Sequence, residues 1–294
     1  MSRTANYHRG YERQLLEKGN VTLAPRTIEI PEGCWFCGRV GAKMTKARLF
    51  PDWLLEALNA GNQMMSSAHF DPTGKLIDQR PASLKSLVCG QVCQDCNNGW
   101  MSRLDSSFKK SFLGNVEAEQ AKHPLLFARW VAKTATLINV SQQYRLQIPA
   151  AARHGLQSQD SLPKGWRVYA FTLGIEESPV INWAQGTMPT FTAPESKMDE
   201  LKKEAGNIFS CAIKINNFGA VAFWHPDSIY QLEPAYPMRR LWPKAEGGLS
   251  PMLWSPYATN FCVVDMMDNK DNWLENLSET RASVARHTAP ASSW

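Results

Sequence analysis

No stretch of this sequence approaches the roughly 20 apolar residues that a membrane-spanning helix needs. The longest apolar runs, such as LLFARWVA and VAFW, are far shorter. Nor does a secretory signal begin the chain, because MSRTANYHRGYERQ is basic but has no apolar stretch behind it. These two absences lead to the expectation of a soluble protein without a membrane partner, in a bacterial cytoplasm or, if phage-encoded, in that of the host. Internal repeats and low-complexity tracts are missing, which excludes solenoids and fibrous folds. A glycine-rich phosphate loop and a local Ser/His/Asp arrangement are missing too. Cysteine does not come as an even set: there are seven, with no export signal. That combination argues against a disulfide framework and for reduced thiols or metal ligands.

What is present is enough for a packed core, since 44% of the 294 residues are hydrophobic. The net charge of +5 is unevenly spread. Residues 34 to 110 carry ten Lys/Arg against six Asp/Glu, while the remainder carries 22 against 21. Basic charge gathered on one quarter of a chain is the electrostatic footprint of a phosphate-binding surface, although this excess is modest.

Three regions follow from the pattern: residues 1–30 as an N-terminal helix and linker, 31–115 as a cysteine-containing module, and 116–294 as an α+β C-terminal domain. Tyr7, Tyr11, Leu15 and Leu16 have helical spacing in the first. In the module, FPDWLLEALNAGN predicts a helix with Asp52 as its N-cap and Gly61 at its end. HFDPTGKLIDQRPASLKS predicts an exposed loop or loose hairpin, and Trp100, Leu104, Phe108 and Phe112, four apart, predict a helix starting directly after Cys96. Beyond residue 116, AKHPLLFARWVAKTATLINV reads as a buried helix. WRVYAFTL, SPVINWA, NIFSCAIKI and GAVAFWHP read as strands, the last two joined by a hairpin turn of Asn216, Asn217 and Phe218. A closing helix is predicted over Asn272 to His287.

GCWFCGR and VCQDCNNGW supply two C-x-x-C pairs, Cys34 with Cys37 and Cys93 with Cys96, separated by 55 residues. Two such knuckles bring four thiolates into the tetrahedron that zinc prefers, and four protein ligands close the site, so the ion would be structural. Cys89 lies four residues before Cys93 and competes for a ligand position, but two residues between ligands is the commoner knuckle. Cys211 and Cys262 have apolar neighbours and are expected as core thiols. Trp35, Trp100 and Trp130 are likewise expected to supply core rather than base-stacking platforms.

The order CWFC, TKARLFPDWL, VCQDCNNGWMSRLD resembles the zinc-stapled HNH endonucleases of bacteria and their phages, whose ββα-metal motif sits between two C-x-x-C knuckles. ARWVAKTATLIN and RRLWP resemble segments that accompany the motif in one subgroup. The resemblance implies an α+β protein with a zinc-bound HNH-like ββα module followed by a mixed α+β domain. It also implies an acidic residue and a histidine just before an L-F-P type turn, the histidine as general base. A His or Asn at the start of the final helix would help hold a catalytic divalent ion. In this sequence the turn is Leu49, Phe50, Pro51, the two preceding residues are Ala47 and Arg48, and the helix-start position is Asn97.

Alanine cannot ligate a metal and arginine cannot act as a base near neutral pH. The expectation is therefore a nucleic-acid-binding protein, for DNA or RNA, without efficient cleavage. Arg48 would put a fixed charge where the phosphate should lie, joined by Lys43, Lys46, Arg103, Lys109 and Lys110. Two alternatives stand beside it. One is an active nuclease using Mg2+ or Mn2+ with a relocated base, His69, accompanied by Asp71 and Asn97. The other is a protein-interaction module in bacterial or phage defence. Asp95 is expected to be a turn residue bonding to backbone, and His123 and His225, without an obvious acidic neighbour, to be structural.

Overall fold

The computed structural model describes residues 32–70, 76–142, 148–173, 180–185, 188–192, 208–226, 230–234, 238–243, 251–252 and 261–266. The predicted N-terminal and closing helices and Asp71 lie outside them. Within them the chain is a mixed α+β protein.

β1 (Met44–Arg48) leads into α1 (Asp52–Ala57), then into the hairpin of β2 (Met64–Phe70) and β3 (Leu76–Ser83), and returns through β4 (Val88–Cys93). β1 and β4 pair antiparallel, Met44 opposite Cys93 and Ala47 opposite Cys89, with a register shift between Thr45 and Ala47. Of the two forms expected for this segment the structure has the hairpin, with His69 opposite Asp78 and a register shift between His69 and Phe70. α1 buries Leu54 and Leu55. Its N-cap is Pro51 rather than Asp52, which is the first helical residue and spends its carboxylate on Arg48. It also stops short of Gly61, where Asn59 takes a φ of 49°.

Helical structure begins earlier than the four-residue spacing predicts. Gln94–Cys96 already forms a turn, Asn97–Met101 is a π-helical stretch with Gly99 out of helical range, and α2 (Ser102–Phe112) follows. The predicted stripe of Trp100, Leu104, Phe108 and Phe112 is buried. After α3 (Val116–Lys122), capped by Asn115 accepting from the Ala118 amide, α4 (Pro124–Gln142) runs through the middle of the protein. It is apolar nearly all round and buried accordingly. It packs on α2, α3 and β4 and on four elements that follow: β5 (Trp166–Leu173), β8 (Phe209–Ile215), β9 (Phe218–Trp224) and β11 (Arg239–Trp242).

Those strands belong to a sheet ordered β11-β5-β9-β8-β6, β6 being Ile181–Gln185, and β12 (Pro251–Met252) adds a short parallel pairing to β5. The β8–β9 turn is two residues, Asn216 at φ 52° and Asn217, so Phe218 belongs to the strand rather than the turn. One face of this sheet, including Val168, Phe209, Ile213 and Ala222, shares a hydrophobic cluster with α4 and with the knuckle residues Cys34, Trp35 and Phe36. Tyr169, Val221 and Phe223 are buried on the alternate positions, outside that cluster. β7 (Met188–Thr192), β10 (Tyr230–Pro234) and β13 (Phe261–Met266) form a second sheet in the order β10-β13-β7.

Two polar devices tie these layers. Gln63, just before β2, accepts the Val180 and Ile181 amides on its Oε1 at 3.1 and 3.4 Å, and its Nε2 donates to the Ile181 carbonyl at 2.8 Å. One side chain thus lies along the side of β6 away from β8, its sheet neighbour among the described residues. On the other flank Asp105 Oδ1 accepts from Trp130 Nε1 at 2.8 Å and from Lys133 Nζ at 2.7 Å, locking α2 to α4. Lys133 is 1% exposed, so Asp105 is its counter-charge in a poorly solvated place. Asp105→Ala should lose about 3–5 kcal/mol in a denaturant titration by stranding that ammonium, and Lys133→Met added to it should recover part of the loss.

Candidate metal centre

The first knuckle is a tight turn: the Gly38 amide donates to the Cys34 carbonyl at 2.8 Å, and the Cys34 amide to the Arg39 carbonyl at 3.1 Å. Gly38 sits at φ 71°, where a side chain is disfavoured. A Cβ there would also lie 2.8 Å from Cε1 of His154. The Trp35 amide donates to the Gln91 carbonyl at 3.0 Å, hanging this knuckle on β4, whose last residue is Cys93. The second knuckle is the helical turn itself, held to β1 by the Gln94 amide donating to the Lys43 carbonyl at 2.9 Å.

Cys34, Cys37, Cys93 and Cys96 therefore converge, with all four Sγ atoms within 4.8 Å of one another. A Zn–S bond of about 2.3 Å in a tetrahedron sets sulfurs about 3.8 Å apart. Cys37 Sγ and Cys93 Sγ are 3.7 Å apart. Backbone amides point at sulfur as a thiolate requires: Cys93 N donates to Cys34 Sγ at 3.2 Å and Cys96 N to Cys93 Sγ at 3.4 Å. The Cys34 thiol is driven down to about 4, first by the Cys96 side chain and then, against burial, by the amides of Cys93, Phe36 and Cys37. Cys96, on the other end of that hydrogen bond, moves up. The donor set fits zinc.

Cys89 is buried beside the quartet but is not part of it, and burial pushes its thiol up to about 11. Cys211 is a buried core thiol whose pKa burial raises. Trp35 and Trp100 are buried as core, Trp100 edge-on to Phe36 at 5.5 Å.

Asn97, directly after the last cysteine, donates from Nδ2 to Thr45 Oγ1 at 3.1 Å, and that hydroxyl donates to the Val92 carbonyl at 2.9 Å. Ala47 is buried on the same strand. Arg48 forms an ion pair with Asp52, Nε to Oδ1 2.7 Å, and donates to the Lys85 carbonyl. Its charge is thus largely answered within the chain. Lys43, Lys46, Arg103, Lys109 and Lys110 are exposed, Lys109 lying 5.9 Å over the Trp53 ring. His69 stands on the β2–β3 hairpin, a separate sheet from the β1–β4 ladder whose Thr45 binds Asn97. Asp95 forms an exposed ion pair with Arg39 rather than a backbone turn bond. His123 does have an acidic neighbour, Glu119, at 3.8 Å.

Thr45, the Arg48–Asp52 pair and the docking of His154 on Gly38 escape sequence reasoning. The i, i+4 spacing of Arg48 and Asp52 was a usable signal; nothing local marks the others. No family model, curated protein or solved structure matches the chain.

Proposed function

We propose that this chain is a zinc-stapled nucleic-acid-binding protein, built on an HNH-like β-β-α scaffold that has lost its cleavage chemistry. The observation carrying this reading is the four-thiol cluster at the junction of the β1–β4 ladder and α2, with Ala47, an ion-paired Arg48 and a Thr45-bound Asn97 beside it. The four cysteines would hold the zinc and fix the two strands to the helix. Asn97 is then an anchor for β1, and no base stands beside it at positions 47 and 48.

Exposed Lys43, Lys46, Arg103, Lys109 and Lys110 supply the phosphate contacts in this reading. Each contact releases a counterion, so binding to duplex or single strands should weaken linearly in log[salt]. Arg103→Gln with Lys110→Gln should lower that slope by about 2, since each contact contributes about 1. The direct test is fluorescence anisotropy over a salt series together with plasmid incubation in Mg2+ or Mn2+. Salt-sensitive binding without nicking is the expected result. Absence of binding at low salt would overturn it and turn attention to a protein partner; nicking abolished by His69→Ala would replace it with a relocated-base nuclease.

A further inference from the structure

Arg153 lies on α5 (Ala150–His154), more than 50 residues beyond Cys96, the last cysteine of the quartet, and is buried to 4% exposure. Its Nη1 donates to the Trp35 carbonyl at 3.1 Å, inside the first knuckle, and its guanidinium carbon lies 4.6 Å over the Trp35 ring. The buried Nε has no hydrogen-bond partner. Among the described residues no carboxylate forms an ion pair with it. A guanidinium stays protonated, and burying it without an opposite charge is costly by several kcal/mol.

Burial lowers the Arg153 pKa to about 10, against the pull of the nearby thiols, Cys34 foremost. The neighbouring imidazole, His154, is held toward its neutral form by burial and then by the Arg153 charge. Zinc with four thiolates carries a net charge of about −2, since each ligand binds deprotonated. That complex lies in the apolar cluster it shares with Trp35, Phe36 and Trp100, where the exposed Arg39 acts on Cys37 and Cys93 and the buried Arg153 acts on Cys34. Each buried charge thus meets the need of the other.

We infer that Arg153 is the counter-charge of the metal-loaded cysteine quartet, a positioning residue that makes metal affinity depend on α5 being docked against the first knuckle. The inference rests on the zinc reading above and goes beyond it by naming what tunes the site. The bond to the Trp35 backbone carbonyl and the ring stack hold the guanidinium in place; its charge offsets the thiolates. Removing the charge while keeping a donor should weaken zinc without unmaking the fold, because Gln at this position can still donate to the Trp35 carbonyl.

The test compares Arg153→Gln and Arg153→Lys with the unaltered full-length chain. Zinc affinity is measured by competition with a chromophoric chelator, and Co2+-substituted protein reports the sulfur-to-metal charge-transfer band. Arg153→Gln should bind zinc about 10- to 100-fold more weakly, the range typical for a residue supporting metal ligands from behind. Its Co2+ band should move to lower energy, because sulfur lone pairs rise when a nearby cation is removed. Arg153→Lys should recover most of both. Equal affinity and an unmoved band in Arg153→Gln would overturn the inference while leaving the zinc site intact. An unaltered chain that binds neither metal would overturn the zinc reading itself.

Discussion

Stripping the metal at neutral pH with a strong chelator should abolish cooperative thermal unfolding of this protein, and Cys96→Ala should do the same without chelator. Structural zinc contributes an apparent binding free energy of about 10–16 kcal/mol, as large as the whole stability of an ordinary domain at about 5–15 kcal/mol. A bound ion would draw its leverage from where the quartet sits. Cys34, Trp35 and Phe36 belong to the same hydrophobic cluster as α4 and the six-stranded sheet, so loss of the knuckles loosens the wall of the main core. Elemental analysis should give one zinc per chain before treatment, and differential scanning calorimetry reads the effect. An unchanged melting transition in a chelated, metal-free sample would sink the structural role.

Phe108→Ala should be among the most damaging single changes away from the cysteines. Its ring stacks on Trp130 with centroids 4.0 Å apart and planes 8° from parallel. It also meets Phe127 edge-on at 5.1 Å, Phe112 at 5.4 Å, Trp53 at 6.2 Å and Phe218 at 6.5 Å. This one side chain joins α1, α2, α4 and β9. Truncating a buried phenylalanine costs about 3–5 kcal/mol through lost transfer energy and the cavity left behind. A urea titration of the zinc-loaded protein should show a lowered midpoint with an unchanged slope. A loss below about 1 kcal/mol would mean that the aromatic cluster collapses to fill the gap, contrary to the packing described.

The cysteine quartet was legible because metal-ligand spacing is a local signature: two residues between thiols fit one knuckle turn whatever surrounds them. The stripe Trp100, Leu104, Phe108, Phe112 was legible for a similar reason, as period alone fixes the buried face of a helix. That helix starts earlier than the apolar spacing predicts because the Cys93 sulfur caps the turn by accepting the Cys96 amide, and Gly99 lets the backbone leave helical range before Ser102. Asp52 was misread as a cap because Arg48 stands one turn before it and takes the carboxylate. Arg153 was invisible. Its meaning depends on a contact with Trp35 across 118 residues, and a lone arginine in AARHG has no pattern that announces it.

Gln63 has a bearing on how this protein behaves in a crowded solution. An unpaired strand at a sheet border is a template on which another chain can add itself, and natural proteins guard such borders against aggregation. At Val180 and Ile181 the side-chain amide of Gln63 already occupies the positions that an incoming strand would claim. Accretion of a foreign strand at this end of β6 must first evict an intramolecular bonder, so a single glutamine blunts the start of that border.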